Sequence, residues 1–368
     1  MKVKALSLRD FRNYERAEVE LGERLTVVVG PNGAGKTNLL EAIYFGCTGR
    51  SPRTSNERDL VRRGADAARV TVSTADADGT THQLEAAFQP GEPKLLRVDG
   101  SPVDNLWATD ARPLVSVFLP DRLDLVKGPP VGRRAHLDQV VAALWPSRGA
   151  TRLAYSRSLA QRNALLGRIR SGSASPASLG SWDAELARHG ADLMAARAEA
   201  IDLLAPRFAG RAAELGLPQA AEIAYRPRSA ATSADGLAGE LRERCEADVE
   251  RGFTAHGPHR DDVRLRHGGE PLREIGSQGQ QRVALLALLF AERDLLDDQR
   301  GRPPLMLLDD VMSELDAARR ALLADLLRAG GQGVLTATEA EHVPDCDAAG
   351  TTVLAVDAGV VTGAPSAR

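Results

Sequence analysis

Apolar and polar positions alternate through the opening of the chain. VKALSL alternates in part, AEVEL places an apolar residue at every second position, and LTVVV is a nearly unbroken apolar run. The first pattern predicts half-buried strands and the second a strand covered on both faces. LTVVV runs through GPNGAGKT into NLLEAIYFG, where the spacing predicts a helix. ARVTVST, HQLEAAF and KLLRV read as short strands, with DADG and QPGEP as turns between them, and PLVSVFL as another apolar strand.

From about residue 130 the texture changes. RRAHLDQVVAALW, ATRLAYSRSLAQRNALLGRIR and SWDAELARHGADLMAARAEAIDLLAPRFAGRAAEL predict helices, the last two separated by the loop SGSASPASLGS. Strand patterns return in AEIAYRP and DDVRLRH. SQGQQRVALLALLFAERDLL predicts a strong helix, PLMLLDD a strand, ELDAARRALLADLLRAG a helix, and GVLTATE the strand that closes the core. No repeat of a solenoid period is present. The expected fold class is α/β, with a body over 1–128 and 218–368 and a helical lobe inserted over 129–217, each boundary good to about ten residues. The tail GAPSAR is expected to fray.

Composition narrows the function classes. The 368 residues carry a formal charge of −3, so wholesale attraction to nucleic acid is excluded and a local basic patch is not. Arginine supplies nearly all the positive charge, since the only lysines are Lys2, Lys4, Lys36, Lys94 and Lys127. Cys47, Cys245 and Cys346 are far apart and lack zinc spacing, which suits a reducing cytoplasm. No secretory leader pattern opens the chain, and no run approaches the ~20 apolar residues of a membrane span.

Three stretches carry chemistry. GPNGAGKT fits G-x-x-x-x-G-K-[ST] in its proper strand-to-helix setting. Gly30, Pro31, Asn32, Gly33, Ala34 and Gly35 would turn backbone N–H groups toward the phosphates of ATP. Lys36 would reach the β- and γ-phosphates, and the Thr37 hydroxyl would bind Mg²⁺. PLMLLDD ends in two carboxylates. Asp309 is placed to hold Mg²⁺, and Asp310 to act as the base that polarises the attacking water. SQGQQR satisfies the S-x-x-Q capping box through Ser277 and Gln280. A helix start so capped also presents free N–H groups and a positive dipole. In SELD, Ser313 or Asp316 can cap the following helix.

The order of FRN, GPNGAGKTNLLEAI, SPRT, RNALL, GPHRDD, SQGQQR, LLDD and SELD resembles the RecF family of bacterial recombination mediator ATPases over nearly the whole chain. The resemblance implies an ABC-type ATPase head related to those of Rad50 and SMC proteins. It also implies ATP-dependent homodimerisation, binding to DNA at single-strand/double-strand junctions, and work with RecR, RecO and RecA. In that frame Ser277, with Gln280, serves the γ-phosphate held by the other subunit, and SELD crosses the dimer interface. Arg12 and Asn13 of FRN would lie near the base or phosphates, unless FRN is only a β-turn. Arg53 of SPRT would face nucleotide or DNA. The chain departs from the ABC pattern in two places. No Gln stands at the Mg²⁺-sensing loop, where FLPDRLDLVKG offers Asp121. The usual His after the last core strand is replaced by TATE, with Thr336, Thr338 and a nearby His342. A weak γ-phosphate sensor would fit slow hydrolysis used as a switch. In HGPHRDD the turn and the following strand separate Asp261 from Asp262, so no metal site is expected there.

Residues 131–170 hold eight arginines and a single acid, Asp138. Arg133, Arg134, Arg152 and Arg157 are candidates for sequence-independent contact with DNA phosphates, whereas Arg162 falls on the apolar side of its helix. Competing readings fit less well. A transporter ATPase has no use for the 273 positions between Lys36 and Asp309. An SMC- or Rad50-like organiser needs sustained heptads. A P-loop kinase leaves SQGQQR unexplained.

Overall fold

The computed structural model describes residues 1–363, so the tail expected to fray lies outside them apart from Gly363. In chain order the elements are β1 (Lys2–Phe11), β2 (Tyr14–Glu20), β3 (Leu25–Val29), α1 (Lys36–Thr48), β4 (Ala68–Ala75), β5 (Thr81–Phe88), β6 (Leu95–Val98), β7 (Ser101–Pro102) and β8 (Val115–Phe118). There follow α2 (Asp124–Lys127), α3 (Pro130–Leu144), α4 (Gly149–Arg170), α5 (Gly180–Glu214), β9 (Ala221–Arg226), α6 (Ala234–Glu243) and α7 (Cys245–Arg251). Then come β10 (Asp262–His267), β11 (Glu270–Pro271), α8 (Leu272–Ile275), α9 (Gln278–Arg300), β12 (Leu305–Leu308), α10 (Ala317–Ala329), β13 (Gly333–Ala337), β14 (Thr351–Asp357) and β15 (Val360–Gly363). None of the described helices is long and apolar enough to cross a membrane.

The chain divides into two compact units, one of residues up to Arg122 together with those from Leu296 onward, the other Leu123–Leu295. The first unit contains two sheets. The core sheet runs β15-β14-β3-β13-β12-β8 and is parallel except for β15. The other, antiparallel, runs β2-β1-β4-β5-β6-β7. Helix α1 packs on β4 and β5 of one sheet and on β8 and β13 of the other. That is why NLLEAIYFGC is apolar on nearly every side: Leu39, Leu40, Ile43, Phe45 and Cys47 are all fully buried.

GVLTATE does not close this core. Strand β14 lies parallel to β3 on the side away from β13, and β15 turns back on it. TTVLAVD is short and half polar, so its place in the core is set by pairing with distant β3 rather than by its own pattern. Helix α10 begins at Ala317, later than ELDAARR suggests, because Asp316 is its cap and accepts from Arg319 N at 2.9 Å.

The second unit is built on α5, a 35-residue helix. Helices α3, α4 and α6 pack on it, as does the antiparallel sheet β11-β10-β9. Tyr155, Leu186, Leu193, Met194, Leu237 and Leu241 form one of its cores, and Leu166, Ile169 and Leu179 another. This unit reaches well past the lobe expected over 129–217. The apolar face of β9 and the two inner leucines of α6 are buried against α5, and the charged sequence of α6 and α7 conceals both helices.

Candidate functional site

The loop Gly30–Gly35 joins β3 to α1. Gly30, Gly33 and Gly35 have φ of 154°, 82° and 122°. A side chain at Gly30 would run into the carbonyl oxygen of Val356, and one at Gly35 would stand 2.6 Å from Asn13 Nδ2. Glycine is therefore required there by close backbone approach as well as by φ. Pro31, Asn32 and Gly33 are exposed while Ala34 and Gly35 are buried, so the tip of the loop is open above a fixed base. Lys36 is 7% exposed, and its Nζ donates to the carbonyls of Gly30 (2.7 Å) and Pro31 (3.0 Å). Burial lowers its pKa, against the pull of Asp310 and Asp309.

The end of β12 lies beside the start of α1. Thr37 Oγ1 donates to the Asp309 carboxylate, 3.0 and 2.8 Å from its two oxygens. Thr336 Oγ1, from β13, donates to Asp309 Oδ1 at 2.7 Å and accepts from Asp310 N at 2.9 Å. Burial raises the pKa of Asp309, and the hydroxyls of Thr336 and Thr37 oppose it. The Thr37 hydroxyl and the Asp309 carboxylate together offer the hard oxygen donors Mg²⁺ prefers and would suit that cation, Asp309 through water. Asp310 follows in the left-handed region at φ 47°, a conformation Asp tolerates at some cost. Thr336, offered as a γ-phosphate sensor, is thus engaged with Asp309 and Asp310, while Thr338 Oγ1 and His342 Nδ1 are 3.1 Å apart. The side chains of Asp121 and Glu314 lie outside the described residues.

FRN is a turn and a support for the loop at once. Phe11 pairs with Tyr14 across it, and Arg12 takes φ 54°. Asn13 Nδ2 donates to Ala34 O and its Oδ1 accepts from Asn38 Nδ2, both at 2.9 Å. Arg12 grips Glu41 through two bonds of 2.7 Å. Arg53 Nη1 reaches the same carboxylate at 3.0 Å and Asn38 Oδ1 at 2.9 Å, and Ser51 Oγ donates to Glu41 at 2.6 Å. Sequence reasoning missed Glu41, although an acid inside an apolar helix is itself a signal. It also missed Tyr14, whose hydroxyl donates to Gly35 O at 2.9 Å, and Gly359, whose N–H donates to Ala34 O at 3.0 Å from the β14–β15 turn.

In the second unit the capping box is formed as its spacing requires. Ser277 N donates to Gln280 Oε1 at 2.8 Å, and Gln280 N donates to Ser277 Oγ at 3.2 Å. Gln281 Nε2 donates to Leu272 O (3.0 Å) and Gly276 O (3.1 Å), tying the helix start to α8. Ser277, Gln278 and Gly279 remain exposed at the tip. In SELD, Ser313 Oγ donates to Asp310 O at 3.0 Å.

Among the arginines proposed for DNA, Arg133 must be corrected. It is 4% exposed and paired with Asp262, Nε–Oδ1 2.9 Å, with Nη1 on Gly128 O at 2.7 Å. Arg134 is half-buried and donates to Asp261 O at 2.7 Å. Arg152 and Arg157 are exposed on α4, and Arg162 is fully buried. Asp261 and Asp262 do take separate partners. Asp261 accepts from Arg228 N at 2.6 Å and from Tyr225 Oη, while Asp262 receives Arg133.

Residues 5–98 match the AAA domain family. DNA replication and repair protein RecF from Anaeromyxobacter sp. (strain Fw109-5) is 39% identical over 98% of this chain and 99% of its own length. The protein of the same name from Anaeromyxobacter sp. (strain K) is 40% identical over the same shares. The solved structure of the recombination mediator protein RecF-ATP in the RecFOR pathway superposes with a TM-score of 0.87 at 27% identity, over 99% of this chain and 98% of that one. An Smc head bound to the C-winged helix domain of ScpA superposes with a TM-score of 0.59 at 17% identity, over 98% and 96%, a likeness of fold alone. An ABC-type P-loop ATPase head carrying an inserted helical lobe accounts for the first unit, the lobe and these likenesses together, and the chain belongs to the RecF family.

Proposed function

We propose that this protein is an ATP-dependent, DNA-binding recombination mediator that uses ATP binding to dimerise and slow hydrolysis to release. The observation that carries this reading is the junction of the glycine loop with the carboxylate end of β12. A buried lysine rests on two carbonyls beside an open glycine loop, and a threonine hydroxyl sits on a buried carboxylate. The name of the RecF-ATP structure supports the choice of nucleotide.

In this reading Gly30 to Thr37 turn their N–H groups to the phosphates, and Lys36 leaves its carbonyls for them. Thr37 and Asp309 would hold Mg²⁺, and Asp310 would orient the attacking water. ATP with Mg²⁺ would supply the scissile γ-phosphoryl bond and the cation that neutralises its charge. Arg12 and Asn13 fix the loop from below, Arg12 through Glu41, and Arg53 shares that carboxylate at the rim. Ser277, with Gln280 holding the cap, completes the site of a second copy. Arg152 and Arg157 are the arginines left exposed for duplex phosphates, at single-strand gaps and junctions where RecO and RecR would help load RecA. The named relatives are replication and repair proteins, which supports DNA as partner.

Gel filtration with ATP and Mg²⁺, with and without gapped DNA, tests this. The wild type should dimerise with nucleotide and bind DNA at modest salt. Lys36→Met should abolish ATP-driven dimerisation. Ser277→Arg should keep ATP binding and lose both dimerisation and hydrolysis. A Ser277→Arg protein that dimerises normally contradicts the shared site, and a wild type that binds no DNA contradicts the mediator.

A further inference from the structure

We propose that Phe253, with Arg170, Arg251 and Arg260, forms a platform on which an unpaired base of single-stranded DNA stacks while its flanking phosphates meet the arginines. The proposal rests on the DNA-binding reading above but uses none of the residues assigned there.

Five large apolar side chains are exposed among the described residues. Val131, Leu153, Ile275 and Val360 are aliphatic, and Phe253, 41% exposed, is the aromatic one. Arg260 Cζ lies 5.6 Å from its ring centroid, within cation–π range. Arg170 Nη1 donates to Arg251 O at 3.1 Å, and its guanidinium lies against Gly252. Gly252 has φ 78°, a left-handed conformation that favours glycine, and the Arg170 guanidinium fills the space a Cβ there would take. None of the three arginines forms an ion pair among the described residues; of the acids next to them in sequence, Glu250 is exposed and Asp261 is buried on Tyr225 and Arg228 N.

The backbone beneath is fixed. Thr254 N and Oγ1 both donate to Asn163 Oδ1, at 2.8 and 2.7 Å, and Ala255 N donates to Asp248 Oδ1 at 3.1 Å. Thr254 Oγ1 also accepts from buried Arg162 at 2.8 Å. A ring presented to water from so rigid a segment loses little entropy when a flat partner covers it. Bases in a duplex are already stacked on their neighbours, so such a platform selects unpaired ones. Stacking of a base on an aromatic side chain contributes ~1–3 kcal/mol, which is a factor of roughly 5 to 150 in affinity.

Fluorescence anisotropy of the full-length protein with ATP and Mg²⁺ tests this with two probes, a blunt duplex and the same duplex carrying a single-stranded tail. Phe253→Ala should weaken the tailed probe about fivefold or more and leave the blunt one unchanged. Phe253→Tyr should restore the loss. A 2-aminopurine in the tail beside the junction should be quenched by the wild type and by Phe253→Tyr, but not by Phe253→Ala. If the wild type binds neither probe, the DNA-binding reading itself fails. If it binds both, and Phe253→Ala matches it in affinity and quenching, the platform is wrong while DNA binding stands, and the patch belongs to a protein contact instead.

Discussion

Lys36 and Arg162 are both cations buried almost completely, 7% and 0% exposed, and they are held in opposite ways. Lys36 rests on two backbone carbonyls. Arg162 is gripped by Asp183 (2.6 Å), Asp248 (2.7 Å) and the hydroxyl of Thr254 (2.8 Å). The carboxylates repeat the contrast. Asp309 is buried against two threonine hydroxyls, whereas Asp183 and Asp248 share a guanidinium. A buried charge matched by an opposite charge is frame. A buried charge resting on neutral groups keeps its capacity for an incoming ion, and the first unit concentrates such charges around one loop.

The largest effect should come from breaking a matched charge. Arg162→Met leaves Asp183 and Asp248 buried without their cation and should cost about 3–5 kcal/mol by urea unfolding. Lys36→Met, measured without nucleotide, should change stability by less than about 1 kcal/mol, since both carbonyls lie at an open loop. Equal losses in the two variants would erase the contrast.

Next comes His259, a half-buried group of the lobe. Burial pushes its pKa down to about 4, and its ring accepts from Tyr155 Oη at 2.7 Å through Nδ1 and donates to Thr254 O at 2.9 Å through Nε2. With the folded pKa below the ordinary 6.5, the unfolded chain takes up the proton first. Stability is then complete above pH 6.5 and is lost as pH falls from there toward 4, by up to roughly 3 kcal/mol. His259→Gln should flatten that slope in unfolding curves taken at pH 7 and pH 4.5. Asp309 works in the other direction. Its raised pKa means that the folded state is penalised at neutral pH and relieved as the carboxylate protonates.

The smallest effect belongs to the cap of α9. Ser277→Ala removes one bond of the capping box and should cost about 1 kcal/mol in the same assay. A loss of several kcal/mol would make Ser277 part of the frame rather than an exposed tip awaiting a second copy.

What could be read along the chain, and what could not, follows from how far apart the partners lie. GPNGAGKT, PLMLLDD and SQGQQR each state their chemistry within a few residues, and each adopts the local structure its spacing requires. The support of the site is spread out. Glu41 meets Arg12 and Arg53 only through folding, and Gly359 reaches Ala34 from the far end of the chain. The same distance misleads in the lobe. A count of arginines over 131–170 cannot tell Arg133, which faces Asp262, from Arg152 and Arg157, which face water. The strand β14 escaped for a related reason, since its short pattern acquires meaning only beside β3.

Asp309→Asn tests the contrast most directly, because it removes charge from the candidate metal corner while keeping its shape. Calorimetric titration with ATP, with and without Mg²⁺, should be paired with thermal melts of the free protein at pH 7. The variant should melt no earlier than the wild type and should lose the Mg²⁺-dependent part of its ATP affinity, by about tenfold or more. A variant that melts much earlier, yet binds ATP with Mg²⁺ as tightly as the wild type, would show that this carboxylate is frame after all.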